Sequence, residues 1–158
     1  MKTLILYATK FGSVAECAEI LAGKIPGEKT IMDAGRFTPP IPDGFDRIII
    51  GCSVHAGKIQ RSIIKYIERN LPILEKKELA IFMCSLDSAE KGQEILKAAL
   101  PESFMRSLKA SGFFGGTVTF SKMNFIYRAV MKKITGRDDD FSTVDPEKIT
   151  LFSGEVTS

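Results

Sequence analysis

The chain has 158 residues, 44% of them hydrophobic and 26% charged, which suits one soluble domain, 1–158, with a proper core. No apolar run approaches the roughly 18 residues of a membrane-spanning helix, and a strand pattern already begins at Thr3, so neither a membrane span nor a signal peptide is expected. Three cysteines without CxxC spacing (Cys17, Cys52, Cys84) and a single histidine, His55, argue against a disulfide framework and a structural zinc site, which leaves the cytoplasm as the default location and no metal expected.

In chain order, residues 3–8 are β-rich and stop at a short polar loop, Thr9-Lys10-Phe11-Gly12-Ser13-Val14. A helix is predicted at once behind it, over 13–25, with Ala15, Ala18, Leu21, Ala22 and Ile25 at helical spacing and Pro26-Gly27 as the stop. A second short strand is predicted over 29–33. Residues 34–45, with Gly35, Pro39, Pro40, Pro42 and Gly44, have loop chemistry. The run Ile48-Ile49-Ile50 predicts a strand over 46–51 that is buried on both faces. A loop at 52–58 follows, then a helix over 59–71 and a fourth strand over 79–83. Helix is predicted in two pieces, 88–100 and 102–109, broken by Pro101, and a fifth strand over 112–120 with Gly115-Gly116 in its middle. A separate helix is expected over 124–134. A last one starts near Asp145-Pro146, with the aspartate as N-cap and proline at the first helical position.

Strand and helix alternate five times. Parallel strands joined by right-handed helical crossovers satisfy that order, so the expected fold is α/β: a three-layer, doubly wound, five-stranded parallel sheet in the order 2-1-3-4-5, with a helical insert after strand 5. The insert is basic. Residues 121–137 carry Lys122, Arg128, Lys132, Lys133 and Arg137 and no acid, so the net charge of +3 sits in this one segment.

The ligand of such a fold lies at the carboxyl ends of the strands, near the switch between strands 1 and 3. A strand–loop–helix junction points backbone N–H groups and the positive end of a helix at one spot, which suits a phosphate. The 9–14 loop has neither the Gly-Lys-Ser/Thr of a Walker loop nor the three glycines of a dinucleotide binder. Thr9 and Ser13 either hold a phosphate or merely cap the helix. Two further loops should meet the first: Ser53, Val54, His55, Ala56 and Gly57 after strand 3, and Ser85, Leu86 and Asp87 after strand 4. Gly57 either relaxes a turn or permits close approach of a ligand. Asp87 is either a helix cap or a turn residue, and Cys52 and Cys84 read as small buried hydrophobes.

The hydroxyl-bearing first loop resembles the phosphate loop of flavodoxins. The resemblance implies FMN as cofactor, with its phosphate on Thr9, Ser13 and the backbone of 10–14 and its ring system between the other two loops. Lys2-Thr3-Leu4-Ile5-Leu6-Tyr7 followed by Thr9-x-x-Gly12, then Gly51-x-Ser53 and Met131-Lys132-Lys133-Ile134-Thr135-Gly136, are similar to the menaquinone-dependent protoporphyrinogen dehydrogenase branch. Where that branch has an Arg-Tyr pair in the second loop, this chain has His55-Ala56. The chain has no tryptophan to sandwich a flavin. The resemblance implies an FMN redox protein that oxidises protoporphyrinogen or a related small molecule with a quinone-type acceptor. The alternatives are an electron carrier between redox partner proteins and a flavin-free interaction module. The stripe Ile126, Tyr127, Val130 and Ile134 suggests either a helix packed on its own domain with a solvated basic side or a docking surface for anionic lipid (a peripheral contact with anionic membrane through 122–137), an acidic partner protein or a carboxylated substrate. No aromatic–basic interleaving supports nucleic acid.

Overall fold

A computed structural model describes residues 1–35 and 40–158; Pro39, read above as part of the 34–45 loop, lies outside the described residues. Five parallel strands, β1 (Lys2–Tyr7), β2 (Glu28–Asp33), β3 (Arg47–His55), β5 (Glu78–Cys84) and β6 (Leu108–Phe113), lie in the order β2-β1-β3-β5-β6. Counted as parallel strands alone, this is the expected 2-1-3-4-5. The register places Leu4 beside Ile48 and Ile48 beside Leu79.

Successive strand residues point to opposite faces, and both faces here are covered. On one face Leu4, Leu6, Ile48, Ile50, Leu79 and Ile81 meet Ile63 and Ile67 of α2 (Arg61–Leu74), Leu96 of α3 (Ala89–Ala99) and Phe104 of α4 (Glu102–Ser107). On the other, Ile5, Ile49, Ala80 and Phe82 meet Val14, Ala18 and Leu21 of α1 (Ser13–Lys24) and Ile149 and Phe152 of the C-terminal helix, Pro146–Thr157. This double burial is why the Ile48-Ile49-Ile50 run shows no polar alternation. The C-terminal helix begins as expected, with Asp145 Oδ1 accepting from the Glu147 N–H at 2.9 Å.

Two boundaries differ from expectation, and both matter for the site. Strand β3 continues past residue 51 to His55 and turns back through Ala56-Gly57 into β4 (Lys58–Ile59), so the expected 52–58 loop is a two-residue hairpin. Both turn residues have positive φ, 51° and 73°, as a hairpin turn matched to strand twist requires. Ala56 bears this geometry with a Cβ, so Ala56→Gly should leave the fold intact and raise stability by up to about 1 kcal/mol, read as a higher urea midpoint. The fifth strand is Leu108–Phe113 rather than 112–120, and the second helical piece stops at Ser107. Val118 and Phe120 drew the expected strand too late. Their burial comes instead from a small separate core with Met123, against which Phe11, Tyr127, Met131 and Phe141 pack.

That core belongs to the insert. Gly115, at φ 90°, is where the chain leaves the sheet. A two-stranded antiparallel ladder, β7 (Thr117–Val118) with β8 (Phe141–Ser142), closes the base of the insert around α5 (Phe125–Thr135). Asn124 Oδ1 caps α5 by accepting from the Tyr127 N–H at 2.9 Å.

Candidate functional site

The ends of β1, β3 and β5 and the insert enclose a cavity of about 370 Å³. Of the residues singled out from the sequence, Lys10, Phe11, Ser13, Ser53, Val54, His55, Ala56, Gly57, Ser85, Leu86 and Asp87 line it. Thr9, Gly12 and Val14 do not, and the Val14 side chain is fully buried in the core beneath α1, so only its backbone is available at the loop.

The first loop is shaped from within. Thr9 Oγ1 accepts from the Gly12 N–H at 2.9 Å, and Gly12 at φ 100° precedes the first turn of α1. No side chain caps that helix, so the capping role considered for Thr9 and Ser13 does not hold. The first N–H groups of α1 and its positive end therefore face the loop's concavity.

The second loop is held by Gln60. Its Oε1 accepts from the Ser53 N–H at 2.8 Å, while its Nε2 donates to Ser53 Oγ at 2.6 Å and to the Ala8 carbonyl at 2.9 Å. One amide thus ties the end of β1 to the end of β3. Nothing in a single sequence distinguishes this glutamine from any residue opening a helix. Ser53 Oγ lies 2.9 Å from His55 Nε2. With Ser53 Oγ accepting from Gln60 Nε2, its own hydrogen is free to be donated to His55 Nε2 when the imidazole carries its proton on Nδ1.

Burial first, and then the positive charge of Lys10, push the His55 imidazole below its ordinary range. The sign of the linked stability follows. The unfolded histidine takes up its proton near pH 6.5 and the folded one only at lower pH. Stability is therefore complete above about 6.5 and falls as pH drops through that value, until the folded imidazole also protonates. Urea unfolding at pH 7 and pH 5 should show a larger loss for the native chain than for His55→Gln; equal losses would mean His55 is not the group responsible.

In the third loop, Ser85 Oγ donates to Asp87 Oδ2 at 2.7 Å and accepts from the Asp87 N–H at 3.0 Å, which makes Asp87 a turn residue. The cap of α3 is Ser88, whose Oγ accepts from the Lys91 N–H. All three cysteines are free and buried. Burial pushes the Cys52 thiol up to about 12, so at neutral pH it is packing rather than chemistry.

The insert supplies the fourth wall, through residues not among those singled out from the sequence for the site. Met123, Ile126, Tyr127, Val130, Met131 and Ile134 line the cavity from α5 and the turn before it, together with residues 116–118. The apolar stripe of α5 is only partly packed: Tyr127 lies half-buried against the insert's small core and Phe11, while Ile126, Val130 and Ile134 are 62%, 50% and 69% exposed. The insert is fastened to the first loop. The Phe11 ring sits edge-on between His55 and Tyr127, each 5.8 Å away, and Lys10 Nζ donates to the Tyr127 hydroxyl and lies 4.0 Å from its ring centre. The basic residues of the insert divide. Arg128 donates inward to the Phe120 and Met123 carbonyls, and Arg137 pairs with Asp139 at 2.8 Å and lies over Phe141. Lys132 and Lys133 remain exposed.

An uncapped helix start behind a tight glycine turn fits a phosphate, and the apolar cavity beside it fits a planar ring system. The residues present therefore fit FMN.

Comparison with known proteins agrees with this arrangement. The chain is similar to Flavodoxin 1 from Bacillus cereus, at 17% identity and a TM-score of 0.59 over 99% of this chain and 97% of that one. It is similar also to a Fusobacterium nucleatum flavodoxin mutant bound to flavin mononucleotide, at 12% identity and a TM-score of 0.53 over 98% and 94%. A weaker likeness, 26% identity over 89 residues, joins it to protoporphyrinogen IX dehydrogenase [quinone] from Escherichia coli. That match covers 54% of this chain and 49% of the relative, so it spans about half of each. The flavodoxin domain family model matches residues 4–145, which include every strand of the parallel sheet from Leu4 onward and all three loops, and the chain belongs to that family.

Proposed function

We propose that this chain is an FMN-binding redox protein that oxidises a small molecule, protoporphyrinogen or a chemical relative, and passes the electrons to a quinone-type acceptor. The observation that carries this reading is the insert wall. A helix whose apolar stripe faces the cofactor cavity makes a compartment for an organic substrate, which a carrier docking only proteins does not need. FMN supplies the electron chemistry when bound; the protein supplies binding and environment. Thr9, the 10–14 backbone and Ser13 hold the phosphate. Gln60 and Ser53 orient neutral His55 at the ring's edge, and Val54, Ala56, Gly57, Ser85, Leu86 and Asp87 border the ring.

The 26% identity to the quinone-linked dehydrogenase supports the substrate class. A second reading, electron carriage between proteins, is favoured by the exposed tips of the second and third loops, Ala56, Gly57 and Leu86, which leave one edge of the cavity open to a partner. Peripheral contact with an anionic membrane would run through Lys132 and Lys133 with Phe125 and Ile134, 79% and 69% exposed. Among the described residues no helix is long and apolar enough to cross a membrane.

The experiment is anaerobic bleaching of the FMN-loaded protein by protoporphyrinogen, followed by reoxidation with menaquinone. Bleaching and recovery support the enzyme reading. FMN binding without bleaching moves the assignment to electron carrier, and failure to take up FMN moves it to a flavin-free module.

A further inference from the structure

We infer that Lys122, contributed by the insert after strand β6, is a direct cationic ligand of the FMN phosphate. The inference rests on the FMN reading above and adds a residue that lies more than a hundred positions from the phosphate loop in sequence.

Lys122 stands in a short turn of 3-10 helix, 120–122, at the base of the insert. Phe120 and Met123 on either side are buried, at 4% and 7% exposure. The Arg128 guanidinium donates to the carbonyls of both at 3.0 and 3.4 Å, which pins the turn from the side of α5. The Lys122 backbone is therefore fixed and its side chain crosses to the first loop. There Nζ donates to the Phe11 carbonyl at 3.3 Å and lies 3.4 Å from where a Cβ on Gly12 would stand. Gly12 is the residue whose positive φ opens the N-terminal turn of α1, so the ammonium group sits at the rim of the phosphate concavity. Among the described residues Lys122 has no carboxylate partner within ion-pair distance, and its one hydrogen bond is to that neutral carbonyl. An ammonium with donors to spare, held beside an uncapped helix start, meets a phosphate dianion with a charge-assisted hydrogen bond.

A consequence is that the insert becomes part of the cofactor site, because the residue that completes the phosphate's surroundings belongs to it.

The test compares FMN with riboflavin, which lacks the phosphate, by quenching of flavin fluorescence at low and at physiological salt. The unaltered chain is measured first; failure to bind FMN there overturns the FMN reading and this inference with it. Where FMN binds, Lys122→Met should weaken it about tenfold and leave riboflavin unchanged, and should flatten the salt dependence of FMN binding. Lys122→Arg should restore most of the loss. Lys133→Met, the same charge removed from the exposed side of α5, should change neither ligand. An equal loss for FMN and riboflavin, or no loss for either, would overturn the inference while leaving the FMN reading in place.

Discussion

Gly115→Ala should destabilise the protein by about 3 kcal/mol or more. Two independent costs combine. The residue sits at φ 90°, where a side chain costs of order 1–3 kcal/mol. The new Cβ would also stand 2.2 Å from the Thr143 carbonyl oxygen and 2.7 Å from its carbon. Those are backbone atoms, which cannot rotate away as a flexible side chain would. Nor can the backbone yield without damage. The Gly115 carbonyl accepts from the Ser85 N–H at 3.0 Å, and Gly116 exchanges bonds with Thr143, its carbonyl accepting from Thr143 N–H at 2.8 Å. Relief of the clash therefore moves the third loop, the base of the insert, or both. Gly136→Ala is the control, since Gly136 also has a positive φ but nothing within 4 Å of the new atom. It should cost about 1 kcal/mol. At this chain length a loss of about 3 kcal/mol lowers Tm by roughly 6–12 °C. Equal midpoints for the two variants would mean that the junction of sheet and insert is more plastic than its geometry indicates.

Ser13→Asp should weaken FMN binding by about a hundredfold or more while leaving the unliganded protein as stable as before. Ser13 is the first residue of α1 and lines the cavity, so on the proposed placement of FMN a carboxylate there would face the phosphate. Two like unit charges about 4 Å apart at an effective dielectric of about 20 repel by roughly 4 kcal/mol, and the phosphate carries close to two. The same carboxylate is favourable to the free helix, because it complements the positive end of α1. A loss of FMN affinity with no loss of fold is thus the expected signature, measured by flavin titration beside urea unfolding. Riboflavin should bind the variant as it binds the native chain. Undiminished FMN binding would place the phosphate elsewhere.

The parts of this arrangement that were legible in the sequence share a local cause. The parallel sheet order followed from alternation of short apolar runs with helical spacing, and Asp145-Pro146 announced its helix because capping is a contact between neighbours in sequence. The three loops were legible because strand ends in a doubly wound sheet must converge. What escaped was long-range. Gln60 acts through Ala8 and Ser53, and its residue type carries no periodic or capping signal. The fifth strand was placed too late because Val118 and Phe120 are as apolar as strand residues but bury themselves in the insert's own core. The stripe of α5 was seen, yet a single sequence cannot distinguish a stripe packed on a domain from one facing a cavity. The basic residues of 122–137 looked like one patch and are three different things: Lys122 and Arg128 donating to backbone carbonyls, Arg137 paired with Asp139, and Lys132 and Lys133 left exposed.

The central claim is that FMN occupies the cavity with its phosphate on the first loop. Amide shift mapping on the isotope-labelled protein during FMN titration tests it most directly. The account predicts saturation at one FMN per chain, with the largest shifts in the amides of residues 10–14, smaller ones in 53–57 and 85–87, and shifts in 116–123 of the insert. Inorganic phosphate should move the first group alone. Saturable FMN binding that leaves the 10–14 amides unmoved, or no saturable shifts at all, would contradict it.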